Sequence, residues 1–112
     1  MVKKHFEYTR RAIKKAQNEF DSYQKAYFKA RSSEFFCLEL CGEAGELANF
    51  EKKHWKGKDI PIERLEDEAA DVLIALMNYC NAKNIDLSKS LLNKLRKIEK
   101  RRKELKAKKE DY

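Results

Sequence analysis

Two short acidic motifs, each set inside sequence that otherwise reads as helix core, constrain this chain more than any other feature. The first is Cys41-Gly42-Glu43-Ala44-Gly45-Glu46-Leu47, and the second is Glu68-Ala69-Ala70-Asp71-Val72-Leu73-Ile74-Ala75-Leu76-Met77. Successive helical residues turn by about 100°, so Glu43 and Glu46 share a face with Phe36, Leu47 and Phe50. The same rotation sets Glu68 and Asp71 beside Leu65, Val72, Ala75 and Tyr79. Four acids therefore point toward apolar surface. A carboxylate taken out of water either becomes protonated or finds a cation, and two such pairs facing each other repel unless positive charge lies between them. A hard divalent cation with oxygen ligands, Mg²⁺ foremost, satisfies both pairs at once. Salt bridges to neighbouring Lys or Arg explain one such spacing on a solvated face. Two pairs on apolar faces of adjacent helices favour the cation.

The rest of the composition suits a helical domain. The chain has 112 residues with 40% charged and 42% hydrophobic side chains, and only three Gly and one Pro interrupt it. That length predicts one domain with one core. The net charge is +7, and all of the excess lies from Lys89 onward, where eleven Lys/Arg face four Asp/Glu. A basic terminal helix of this kind reads as a solvated or phosphate-contacting face; nucleic-acid binding is not expected, because no aromatic residues interleave the cations. Cys37, Cys41 and Cys80 lack paired spacing and read as buried thiols of a reducing compartment. A zinc site from Cys37, Cys41 and His54 lacks a fourth ligand. No apolar run is long enough for a membrane span and the start has no signal-peptide core, so a cytoplasmic location is expected.

Periodicity predicts four helices. Phe6, Ile13, Ala16, Phe20, Tyr23 and Tyr27 form one seam of a helix from about Phe6 to Lys29. After a break at Ala30-Arg31, Ser32 or Ser33 caps a second helix running to His54, which carries the first acidic pair. Gly42 and Gly45 weaken that helix by about 1 kcal/mol each relative to Ala, which close approach of a ligand or of another helix would explain. Gly57 suits the helix end. A third helix from about Pro61 to Lys83 is apolar nearly all round between Ala69 and Met77 and is expected to be the most buried. Asp86 caps a fourth, which packs through Leu87, Leu91, Leu95, Ile98 and Leu105. The predicted domain is 1–106, followed by a frayed basic tail, 107–112.

Taken in order, Gly42-Glu43-Ala44-Gly45-Glu46-Leu47-Ala48, then Glu68-Ala69-Ala70-Asp71-Val72-Leu73-Ile74, then Ile85-Asp86-Leu87, then Lys94 and Arg101 resemble the MazG-like nucleotide pyrophosphohydrolases of the all-α NTP pyrophosphatase superfamily. The resemblance runs from about Phe35 to Arg102. It implies a four-helix bundle completed by homodimerisation, as a dimer or a dimer of dimers, and conversion of a nucleoside triphosphate to the monophosphate and pyrophosphate. It implies Mg²⁺, with Mn²⁺ as a substitute, held by Glu43, Glu46, Glu68 and Asp71, the same acids serving catalysis. It further implies phosphate contacts from Lys94 and Arg101, with Lys97 on the same stripe, and a base pocket near Phe28, Arg31, Ser33, His54 and Trp55. The sequence departs from relatives in having Gly42 where many carry a second glutamate. It also has no asparagine between Lys94 and Arg101, which leaves Asn78, Asn81 or Asn93 to supply a phosphate or sugar contact.

The expected role is removal of non-canonical or surplus nucleotides. The nearest alternatives are a dUTP/dCTP-type or phosphoribosyl-ATP pyrophosphatase. A rival of another class is a non-catalytic helical dimer that binds nucleic acid or a protein partner through its basic C-terminus. That rival requires salt-sensitive binding indifferent to the four acids.

Overall fold

The computed structural model describes residues 1–109; the last residues of the expected tail, 110–112, lie outside the described part. Five helices and no strand occur among the described residues: α1 Val2–His5, α2 Glu7–Tyr27, α3 Ser33–Trp55, α4 Ile62–Ala82 and α5 Leu87–Ala107. The four long helices are those expected from periodicity, and α1 is a single additional turn at the start. The fold is all-α.

The helix ends follow local chemistry. Ser32 Oγ accepts from Phe35 N at 3.3 Å and caps α3, which satisfies one of the donors a helix start leaves unpaired. At the other end of α3, Gly57 stands at φ +95°. Its N–H reaches His54 O at 2.9 Å while Lys58 N reaches Lys53 O at 3.0 Å, the two bonds of a Schellman stop. Asn84 takes the same left-handed role after α4, at φ 56°, a conformation that asparagine tolerates. Asp86 then caps α5 by accepting from Lys89 N at 3.2 Å and from the Ser88 hydroxyl at 2.6 Å.

The chain forms two compact units. One comprises, among the described residues, 1–19 and 85–109, in which α1 packs on α5 and Leu92 and Leu105 are buried. Gln17 is buried there too. Its Nε2 donates to Ile85 O at 2.7 Å and its Oε1 accepts from Leu87 N at 3.0 Å, so one carboxamide holds both sides of the backbone entering α5. Lys14 Nζ adds a 3.0 Å contact to Asp86 Oδ2.

The other unit, residues 20–84, is built on the α3–α4 hairpin, which carries the most extensive packing between helices. Phe36, Ala75 and Cys80 are buried in it.

Three expectations are corrected. The first-helix seam passes through Gln17, whereas Ala16 is exposed and Tyr23 and Tyr27 stand half and three-quarters open. Cys37 and Cys41 are exposed and only Cys80 is buried, because the first two lie on the side of α3 turned away from α4, beside the exposed Leu38. Finally, α4 is not buried on all sides: Ala69 and Ala70 are exposed, as are Leu73 and Ile74.

Candidate active site

Two antiparallel helices joined by a short turn bring residues at matching distances from the turn level with each other. Going up α3 the chain meets Glu43 and then Glu46; coming down α4 it meets Glu68 and then Asp71. The first acid therefore stands opposite the last. Carboxylate oxygens of Glu43, Glu68 and Asp71 all lie within 4.8 Å of one another. Glu46, more exposed, is outside that trio but still acts on Glu68. Three of the four expected ligands thus converge, and the fourth borders them.

The electrostatics of the cluster are those of negative groups crowded together. The hydrogen-bonding contact with the Glu43 carboxyl, then burial, then Glu46 push the Glu68 carboxyl up to about 7. Burial and the charges of Glu43 and Asp67 raise Asp71 as well. Glu68 Oε2 is sealed from solvent and has no hydrogen-bond partner. An acceptor hidden from water without a donor is costly. The ion pairs among described residues lie elsewhere, so salt bridging does not answer the four acids. The unmatched buried oxygen, the convergence of three carboxylates and the uniformly hard donor set all fit a divalent cation. They do not fit a soft or thiolate-bound metal.

Beside the hairpin, the same unit carries a groove of about 590 Å³ that includes Tyr23, Gln24, Phe28, Arg31, Phe35 and Asn78 in its lining. A smaller hollow of about 200 Å³ shares Gln24, Phe28, Lys29, Arg31, Phe36 and Asn78 with it and adds Asn81. The Tyr23 ring lies 5.5 Å from those of Tyr27 and Phe28, and the Arg31 guanidinium sits 4.6 Å over Phe35. Phe28 and Arg31, expected near a base, therefore line one groove. Trp55 does not join them; it is largely exposed and lines a separate hollow with His54 and Ala48. Periodicity missed Gln24 and Lys29, which read as ordinary solvated positions.

Lys94, Lys97 and Arg101 are exposed on α5, in the other compact unit. Arg101 stands 3.7 Å from Glu104.

The model of the MazG nucleotide pyrophosphohydrolase domain matches residues 31–106. The chain belongs to that family. It is thereby a domain of nucleotide pyrophosphohydrolases, hydrolases that depend on a divalent metal, and a nucleotide substrate fits it. No curated protein and no solved structure gives a significant match. No described helix is long and apolar enough to cross a membrane.

Proposed function

We propose that the protein is a Mg²⁺-dependent nucleoside triphosphate pyrophosphohydrolase, converting (d)NTP and water to (d)NMP and pyrophosphate and clearing non-canonical or surplus nucleotides from the cytoplasm. The observation that carries this reading is the convergence of Glu43, Glu68 and Asp71 around an oxygen that has no partner. Glu43, Glu46, Glu68 and Asp71 would hold the metal. Once bound, a divalent ion neutralises charge on phosphoryl oxygens and makes water a better nucleophile near neutral pH. The chain's own part is mainly positioning, as is general for phosphoryl transfer. Glu43 and Asp71, level on facing helices, fix the ligand spacing. Glu46, at the open side, is the acid best exposed to accept a proton from an attacking water. Lys94, Lys97 and Arg101 are assigned to the triphosphate, whose charge calls for cations of this kind. Phe28 and Arg31 are assigned to the base, and Trp55 is the weakest of the base assignments because it lines a different hollow.

A homodimer, alone or paired into a tetramer, is part of the proposal. Leu38 is 74% exposed and Leu73 is 54% exposed. A Cβ added at Gly42 or Gly45 would meet nothing within 4 Å. On α3, Leu38 and the two bare glycines one and two turns further on leave room for close approach of another helix, and Leu73 leaves a second apolar side chain open on α4.

The decisive experiment measures pyrophosphate release from canonical and modified NTPs and dNTPs, with Mg²⁺, Mn²⁺ or EDTA. Metal-dependent release with monophosphate as co-product supports the proposal. Release of orthophosphate alone, or release indifferent to EDTA, sinks it.

A further inference from the structure

On one face of α4, Asp71, Ile74, Ala75 and Asn78 follow at steps of three, four and seven residues. Seven residues advance about 10 Å along a helix axis, a distance comparable to the span of a ribose and its base. The stripe begins at the acid cluster and ends in the aromatic groove, where Asn78 lines both hollows. Asn78 is only 6% exposed, and its carboxamide has no hydrogen-bond partner among the described residues. Its polar atoms are not sealed from solvent as Glu68 Oε2 is, so they face the water of the groove rather than a partner in the fold. The other buried carboxamide, Gln17, is held by two backbone groups. Asn78 therefore contributes nothing comparable to structure, and its remaining exposure opens onto a groove walled by Phe28 and Phe36.

Building on the nucleotide reading above, we infer that Asn78 is the specificity-determining residue that reads the polar edge of the substrate's base while the aromatic walls hold its faces. A carboxamide presents one acceptor and two donors, so it pairs with a base edge carrying an adjacent donor and acceptor and rejects a base analogue without them. Gln24, on the same wall, offers a second amide. The ligand class is a nucleoside phosphate whose base has an intact hydrogen-bonding edge. Apolar or abasic analogues are excluded.

The test uses the full chain and its Asn78→Leu and Asn78→Asp variants. Leucine matches the volume and leaves no bonded partner stranded, so its thermal midpoint should equal or exceed that of the wild type. The wild type should favour its best base over its worst, and over an abasic triphosphate, by about tenfold or more in kcat/KM. Asn78→Leu should shrink that spread to about threefold, losing the good substrates while the poor ones hold. Asn78→Asp, an acceptor, should shift preference toward amino-bearing bases over keto-bearing ones of the same ring size. A uniform loss across all bases, or a fall in thermal midpoint that accounts for the loss, would mean a structural role and overturn the inference. Calorimetric binding of nucleoside monophosphates separates this from hydrolysis. Base-selective binding that Asn78→Leu abolishes upholds the inference even if no pyrophosphate is released, in which case only the hydrolysis reading falls. Turnover with no base preference overturns the inference and leaves hydrolysis intact. If wild type neither binds nor turns over any nucleotide, both fall.

Discussion

Glu68 is the residue at which the conflict between folding and function is sharpest. With Glu43 and Glu46 against it, its carboxyl titrates near 7 rather than near 4.5. The folded metal-free protein therefore holds a proton that the unfolded chain releases. Its stability should fall as pH rises from about 4.5 to about 7, the direction linkage gives for an acid whose folded pKa is raised. Thermal scans in EDTA across that range should show the decline. Added Mg²⁺ should raise the midpoint more at pH 7.5 than at pH 5, because metal and proton compete for the same oxygens. Glu68→Gln should abolish pyrophosphate release and raise the metal-free midpoint; a variant that kept full turnover would remove Glu68 from the metal site. Asp86 behaves oppositely. The Ser88 hydroxyl and Lys14 hold its carboxyl well below the usual range, so its contribution is complete above about 3.8 and is lost as pH falls through the depressed value. Asp86→Ala removes the α5 cap and should cost about 1 kcal/mol in urea unfolding.

At the scale of the helix, the stop at Gly57 fixes where α3 ends and hence which acids stand level across the hairpin. Gly57→Ala forces a left-handed residue to carry a Cβ and should cost about 1 kcal/mol, with the metal-dependent rise in midpoint reduced alongside. The acid pairs were legible in the sequence because a spacing of three inside apolar text maps directly onto one helix face. The capping serine, Gly57 and Asp86 were legible for the same reason, since each acts within one turn of its own position. Gln17 was not. A glutamine flanked by Ala16 and Asn18 reads as solvent-facing, and its two backbone partners at Ile85 and Leu87 are remote in sequence. The groove was only half legible: Phe28 and Arg31 come from the loop before α3, but Asn78 joins them from α4, and no periodicity within one segment announces such a meeting.

At the scale of the whole molecule, the question is what covers the outer side of the hairpin. If a second copy does, Leu73→Lys should yield monomers by analytical ultracentrifugation and lower stability at the same time. The glycines give an independent check. In a solvent-facing helix, Gly42→Ala or Gly45→Ala adds about 1 kcal/mol of helix stability, and nothing within the chain opposes the new methyl group. Against a closely packed partner helix the same substitution should weaken association. Concentration-dependent unfolding of the two alanine variants distinguishes these outcomes. Burial of Cys37 and Cys41 was expected because apolar neighbours in sequence suggest a core. They turn outward because α3 packs chiefly on α4, and both cysteines lie on its other side.

Those two thiols make α3 readable by chemistry as well as by structure. Cys37 and Cys41 are one turn apart and exposed, while Cys80 is buried and burial raises its thiol pKa. Thiolate is the reacting form, so a mild alkylating reagent should modify two cysteines quickly and the third only when the fold opens. The pair can also take a two-armed probe that spans one helical turn and so moves rigidly with the backbone bearing Glu43 and Glu46. Such a probe also tests for an oligomer: its labelling rate reports whether the outer face is covered, and, if two copies associate, the separation between two probes reports how far apart they hold their acids.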